Sequence, residues 1–209
     1  MKIRLLETAI MKIDFHVHSR ERSDCAVVSE AEQIQAALCS GLDGMVFSDH
    51  DRLVDSQHLA ELNRRYSPLR IFTGIEVTLA QEHVLVIGIN DPALESRAWE
   101  YDDLYRYVRQ RNGFMALAHP FRYREITVNV NQFPPDAIEV FSPNTPLWAE
   151  TRIRQIAAGI GCELLSNSDS HDGQMIGKYY NVLDGNPGND TELLQSLRKR
   201  NLKYCYESS

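Results

Sequence analysis

The stretch Lys12-Ile-Asp-Phe-His-Val-His-Ser19 indicates how this chain folds, because a short strand-forming run ends in two histidines. His16 and His18 are two residues apart, so on a strand their side chains leave the same face. Ser29 and Glu32 then form a capping box for a helix predicted over 30–40, which Gly41 closes. A strand followed by a capped helix predicts a β/α unit.

Similar units recur along the chain. We predict further strands at 45–48, 71–77, 84–89, 114–118, 137–141, 162–167, 179–183 and 202–206. Helices are predicted at 57–65, at 99–112 before Gly113, at 150–158 before Gly159, and after a cap at Asp190. Apolar runs that alternate with amphipathic segments are typical of an α/β protein with a largely parallel sheet or barrel.

Length and charge narrow the class of protein. A chain of 209 residues can bury one substantial core, so we predict a single domain over 1–209, with 1–10 as an upstream extension or an edge strand. A net charge of −7 argues against binding of long duplex nucleic acid, which requires a basic face.

Without a Cys-x-x-Cys pair or a membrane-length apolar segment, we expect a reduced, cytoplasmic protein that does not bind membranes. The oligomeric state is not predicted.

Titratable residues follow several of the predicted strands. His50 follows one strand, His119 another, and Asp169 and His171 a third. Because loops at the carboxyl ends of parallel strands gather on one face of a sheet, we expect these residues to converge. Glu76 lies within an apolar strand, where a carboxylate needs a partner.

Each of these signals has a simpler interpretation when taken alone. A His-x-His pair can pack in a core, His83 can be an edge-strand histidine, and Asp24 can be a solvated loop carboxylate. Taken together, imidazole and carboxylate side chains in this order predict a polynuclear site for divalent metal ions.

The order of these residues resembles the polymerase and histidinol phosphatase (PHP) family of phosphoesterases. The matching segments are His16-Val-His-Ser19, Asp24, Ser48-Asp-His-Asp51, Gly74-Ile-Glu76, His83, Ala118-His-Pro120 and Ser168-Asp-Ser-His171. The resemblance implies an α/β fold, a distorted (β/α)7 barrel with its metal site at the C-terminal mouth of the strands.

The resemblance also implies how the ligands are shared among the ions. Its first ion would be held by His16, His18, Glu76 and Asp169. Glu76 would bridge to a second ion completed by His83 and His119, and a third ion would take Asp24, His50 and His171. Imidazole and carboxylate ligands without a thiolate suit about two to three ions of Zn, Mn or Fe.

The expected activity is hydrolysis of a phosphoric ester bond. A metal-bridging hydroxide would attack a small phosphomonoester or nucleotide, and no other catalytic residue is assigned. Arg20 and Arg122 closely follow ligand motifs and are candidate clamps for the substrate phosphate, although they can equally be solvated surface residues.

Two other functions remain open. An exonuclease-type phosphodiesterase acting on short single strands would need stacking aromatics and a basic track, for which Tyr101, Tyr105 and Tyr107 with Arg106 and Arg109 are candidates. On a helix, such residues more often cover a barrel. A catalytically silent metal-binding module is the third hypothesis, and the complete ligand set argues against it.

Overall fold

One mixed sheet contains the nine strands of the described part of the chain. The structure, a computed structural model, describes residues 10–96, 98–200 and 202–206. The strands are β1 (Ile10–Val17), β2 (Gly44–Phe47), β3 (Arg70–Thr78), β4 (His83–Ile87), β5 (Phe114–Leu117), β6 (Ala137–Phe141), β7 (Glu163–Ser166), β8 (Tyr179–Asp184) and β9 (Lys203–Tyr206). The helices are α1 (Glu30–Cys39), α2 (Ser56–Arg65), α3 (Ala93–Ser96), α4 (Tyr101–Gln110), α5 (Glu150–Ile160) and α6 (Asp190–Leu197).

The strand order is β7-β6-β5-β4-β3-β2-β1-β8-β9. The sheet curls so that its two edge strands nearly meet, because the hydroxyl of Ser166 on β7 donates to the carbonyl of Cys205 on β9 (2.7 Å). Val17 forms a parallel bridge with Ser170, and the amide of His18 donates to the carbonyl of Ser170 (2.9 Å), so the segment after β7 reaches β1. The predicted α/β barrel is therefore confirmed. The count of seven β/α units is not, because β4 runs antiparallel to both β3 and β5.

Buried amide side chains close the barrel seam. The Asn181 amide donates to the carbonyl of Ser166 (2.8 Å), and its oxygen accepts from the Ser166 amide (3.0 Å). Asn167 Oδ1 accepts from the backbone N–H of Phe15 on β1 (3.1 Å). Side chains thus satisfy backbone groups where no strand ladder does.

Most predicted elements agree with the structure to within a few residues, and the Ser29/Glu32 capping box is present. Two predicted helix ends were wrong. The last helix is capped by Asn189, whose side chain accepts from the Glu192 amide, and Asp190 is its first residue. Helix α5 continues through Gly159 to Ile160 and is capped by Gly161, which has the left-handed conformation that favours glycine.

The predicted extension or edge strand over 1–10 lies outside the described residues, except for Ile10, which begins β1. Within the described ranges, no helix combines the length and apolarity needed to cross a membrane.

A bulge in β1 directs its histidines toward the mouth of the barrel. Ile13 and Phe15 pack in one core cluster, but Val17 packs in a different one, so the alternation of faces changes between them. The register between β1 and β2 shifts over the same segment, between Asp14 and Val17. Because a bulge re-aims the side chains that follow it, His16 lies with Phe15 on the inner side of the sheet.

Candidate metal centre

Five histidines surround the carboxylate of Glu76, which is fully buried on β3. Phe72 lies four residues before Glu76 on the same strand, so the two side chains leave the same face of the sheet. Phe72 packs in the inner core cluster, and Glu76 therefore points into the barrel mouth. The distances to Glu76 Oε2 are 3.2 Å from His16 Nε2, 3.2 Å from His18 Nε2 and 3.1 Å from His50 Nδ1. Those to Oε1 are 2.9 Å from His83 Nδ1 and 3.0 Å from His119 Nε2.

Asp169 forms the second carboxylate of the cluster. Its Oδ1 lies 3.3 Å from His16 Nε2 and 3.2 Å from His18 Nε2. Its Oδ2 accepts from Asn144 Nδ2 (2.6 Å), which fixes the orientation of the carboxylate. His171 packs its ring 4.3 Å from that of His18, so the pair predicted after β7 lies at the same mouth.

Several buried atoms of this cluster lack a hydrogen-bond partner in the described part of the chain. They are His16 Nε2, His18 Nε2, His50 Nδ1 and Glu76 Oε2. An unsatisfied buried polar atom is costly, and three imidazole nitrogens facing one carboxylate oxygen form the donor set of a divalent metal site. The residues therefore fit metal ions.

The candidate ligand atoms form four overlapping groups, in each of which all ligand atoms lie within 4.8 Å of one another. The groups are His16, His18 and Glu76; His16, His119 and Asp169; His50, Glu76 and His83; and His18, His50 and His171. Four residues, His16, His18, His50 and Glu76, each belong to two of these groups, so the groups have ligands in common.

Asp24 is the one predicted ligand that the structure does not bring into these groups. It is exposed and lines an open cavity of about 440 Å³ beside His50. The group expected for a third ion contains His50 and His171 with His18 in place of Asp24. The carboxylate at position 24 follows buried Ser23, whose hydroxyl donates to Asp49 Oδ1 (2.8 Å) and anchors this loop.

Protonation of the metal-free cluster follows from its burial and its charges. Burial lowers the pKa of His18, but contacts with Asp169 and Glu76 outweigh burial and raise it to about 9. Burial lowers the pKa of His50 to about 4, and the attraction of Glu76 does not compensate. Burial raises the pKa of Glu76, but the surrounding histidines, His16 first, hold it well below its usual range. Protons thus offset the charge of the carboxylates when metal is absent.

Backbone strain marks the same site. His119 and Asp169 are non-glycine residues with positive φ angles, 25° and 44°, and Phe121 has a φ of 66°. Such conformations cost free energy and cluster at functional sites. The strain lies at the ends of β5 and β7, where the chain turns a candidate ligand toward the cluster.

The two predicted phosphate clamps differ in position. Arg122 lines a small cavity with His83 and His119, beside the second predicted ion. Arg20 is exposed, and its guanidinium donates to the carbonyl of Val27 (3.5 Å). Of the two arginines, Arg122 is the one that shares a cavity with candidate metal ligands.

Glu139 is a site residue that the sequence analysis missed. It is fully buried on β6, and its Oε1 accepts from His16 Nδ1 (2.8 Å) while its Oε2 accepts from the His119 amide (2.7 Å). A carboxylate on one imidazole nitrogen orients the ring and leaves the other nitrogen for a metal. The signal was available, because Ala137-Ile-Glu-Val-Phe141 carries a carboxylate within an apolar strand, as the segment around Glu76 does.

Replacing Glu139 with glutamine should weaken metal binding by roughly 10- to 100-fold, because His16 loses the carboxylate that fixes its orientation. Competition with a metal-sensitive dye measures this affinity. Glu163→Gln is a matched control on the neighbouring strand, since Glu163 is only half-buried and lies at the far end of β7. Equal metal affinities of the two variants would show that Glu139 does not orient His16 for metal binding.

The aromatic and basic stretch considered for a nuclease lies on α4 and is held by contacts with the protein itself. Arg106 pairs with Asp102 (2.8 Å) and Arg109 with Asp136 (2.6 Å). Tyr101 is buried, and its hydroxyl donates to the carbonyl of Phe133. These residues cover the barrel.

Comparison with known proteins supports the family resemblance. Residues 148–202 match a family model described as PHP-associated. Comparison with curated proteins gave no significant match.

Solved structures with the same fold cover nearly the whole chain. A two-domain protein from Bacteroides vulgatus, described as containing a predicted PHP-like metal-dependent phosphoesterase, is 17% identical with a TM-score of 0.74 over 96% of this chain. The chain spans 66% of that protein's length. PsfC from Pseudomonas syringae is 19% identical, with a TM-score of 0.72 over 95% of this chain and 92% of PsfC. The lesion-specific endonuclease PfuEndoQ from Pyrococcus furiosus is 13% identical, with a TM-score of 0.64 over 94% of this chain and 58% of its own.

Fold and site together define a PHP-like barrel with a buried cluster of histidines and carboxylates at its mouth. The resemblance to the PHP family that the sequence motifs indicated is confirmed by the matched C-terminal segment and by the shared fold.

Proposed function

We propose that this chain is a metal-dependent hydrolase of phosphoric esters that acts on a small phosphomonoester or nucleotide. The observation that carries the proposal is the convergence of three unpartnered, buried imidazole nitrogens on Glu76 Oε2, at 3.1 to 3.2 Å. The description of the Bacteroides protein as a PHP-like metal-dependent phosphoesterase supports the reaction class.

The ions would be held by the residues that converge at the mouth. We propose about two to three ions of Zn, Mn or Fe, with Glu76 between two of them. The proposed ligands are His16, His18, His50, Glu76, His83, His119, Asp169 and His171. Such ions, when bound, supply an activated water and neutralise negative charge on phosphate.

The residues of the chain hold these groups rigid and exclude water behind them. His16, His18 and Glu76 are fully buried, whereas His50, His83 and His171 are partly exposed, so solvent reaches the cluster at these three histidines. His18 Nδ1 donates to Ser23 Oγ (3.3 Å), since the Ser23 hydroxyl proton is directed at Asp49. This contact leaves His18 Nε2 as the nitrogen that faces the carboxylates.

Reconstitution of metal-free protein followed by a substrate panel tests the proposal. We expect metal-dependent release of phosphate from a hexose phosphate or a nucleoside monophosphate, and much slower cleavage of duplex DNA, because a net charge of −7 offers no long basic track. Protein kept in chelator is the control. Cleavage of single-stranded oligonucleotides without any monoester turnover would favour the exonuclease alternative. No turnover of any ester would favour a silent metal-binding module.

Replacing Arg122 with alanine should raise the Michaelis constant about tenfold and leave kcat nearly unchanged, because a clamp used equally in ground and transition states affects binding. Steady-state kinetics on the best monoester measure both constants. Arg20→Ala should have a smaller effect, since its guanidinium rests on the Val27 carbonyl. If the Arg122 variant had the kcat and the Michaelis constant of the wild type, Arg122 would not contact the substrate phosphate.

A further inference from the structure

We infer that the exposed indole of Trp148 is a stacking surface for a nucleobase on the leaving group of the substrate. This inference rests on the proposed function and narrows its substrate class to nucleotides. Trp148 is 67% exposed, whereas most large apolar side chains of the described residues are buried.

Phe121 connects Trp148 to the mouth of the barrel. The rings of Phe121 and Trp148 lie 5.8 Å apart at an angle of 60°. Phe121 itself is 4% exposed and lines the small cavity that also contains His83, His119 and Arg122. The indole is therefore one aromatic ring away from candidate ligands of the second ion.

The loop after β6 connects Trp148 to the cluster a second time. Asn144 in this loop donates to Asp169 Oδ2 (2.6 Å), and the hydroxyls of Ser142 and Thr145 bond to each other (3.0 Å). A short 3₁₀ helix, Leu147–Ala149, follows, and Ala149 is fully buried. Trp148 thus lies on a loop that is fixed at the cluster on one side and in the core on the other.

Single exposed apolar residues are common on protein surfaces and need no explanation. Trp148 differs because its contact with Phe121 limits its conformations while most of its surface remains free for another ring. Stacking between an aromatic side chain and a base typically contributes about 1–3 kcal/mol. Arg122, whose guanidinium lies 5.0 Å from the ring of Tyr123, would meet the phosphate at the same rim.

Fluorescence provides a test that does not require turnover. The chain has two tryptophans, and Trp99 is only 5% exposed, so a Trp99→Phe background leaves Trp148 as the single reporter. The metal-reconstituted protein is titrated with a non-hydrolysable phosphonate analogue of adenosine monophosphate, and with methylphosphonate as the control without a base. We expect saturable quenching by the nucleotide analogue alone. Equal responses to both compounds, or no response, would overturn the inference.

Kinetics test the same residue in the otherwise unaltered protein. Trp148→Ala should lower kcat/KM for adenosine monophosphate by about 5- to 100-fold and leave ribose 5-phosphate within about twofold, and Trp148→Phe should retain most of the nucleotide rate. Leu147→Ala is the matched control, because Leu147 is adjacent, equally exposed and has no ring. A proportional loss on both substrates, or no loss, would contradict the stacking role. Failure of the wild type to hydrolyse any monoester would instead contradict the proposed function, and the fluorescence titration would still decide the stacking surface.

Discussion

Replacing Glu76 with glutamine should lower kcat/KM for a phosphomonoester by roughly a thousandfold, because under the proposed function Glu76 would help to hold two of the ions, and such ions would stabilise the reaction by several kcal/mol. Both of its oxygens face imidazole nitrogens, three at Oε2 and two at Oε1. An amide keeps the shape of the side chain but removes one acceptor oxygen and the negative charge. Steady-state kinetics under saturating metal measure the loss.

His83→Asn is the matched control for this prediction. His83 contacts only Oε1 of Glu76, and its side chain is 23% exposed, so it serves one part of the cluster. We expect a loss of about 10- to 100-fold, clearly smaller than that of the Glu76 variant. Comparable residual rates in the two variants would show that Glu76 does not bridge.

Removing the metal should lower the melting temperature by roughly 10 °C, because a ligand present at about a thousand times its Kd contributes on the order of 4 kcal/mol. Without metal, Asp169 and Glu76 lie close together in a buried site, and only protonated histidines compensate their charge. Differential scanning calorimetry with and without chelator measures the shift. Unchanged melting after complete chelation would contradict a site that contributes to folding.

The stability of the chelated protein should also depend on pH. The pKa of His18 is raised from 6.5 to about 9, so its proton stabilises the folded state fully below pH 6.5. This stabilisation is lost as the pH rises toward 9, and the melting temperature of the metal-free protein should fall over that interval. The metal-loaded protein should show a smaller decrease, because bound ions replace the proton. A melting temperature of the metal-free protein that is constant from pH 7 to 9 would contradict this assignment.

The convergence of the ligands could be predicted from the sequence because it depends on strand ends. His50, His119 and Asp169 each follow an apolar run, and parallel strands bring such positions to one edge. The antiparallel β4 could not be predicted, because its apolar run has the same pattern as that of a parallel strand. His83 is the first residue of β4, and it reaches the barrel mouth because β4 runs in the opposite direction to its neighbours.

Other features depend on contacts between residues far apart in the chain. The bulge between Asp14 and Val17 depends on how β1 pairs with β2, and no local residue pattern predicts it. Asn144 is an ordinary turn residue in sequence, and only its contact with Asp169 gives it a role at the site. Asp24 is the reverse case. Its position matches a family motif, but its side chain lies on an exposed loop outside the ligand groups.

The central claim is that the buried cluster at the barrel mouth holds divalent metal ions. Elemental analysis of the reconstituted and desalted protein tests it most directly, with the Glu76→Gln variant measured in parallel. We predict about two to three equivalents per chain for the wild type and at least one fewer for the variant. Fewer than about one equivalent in the wild type, or equal contents in both proteins, would contradict a polynuclear site built around Glu76.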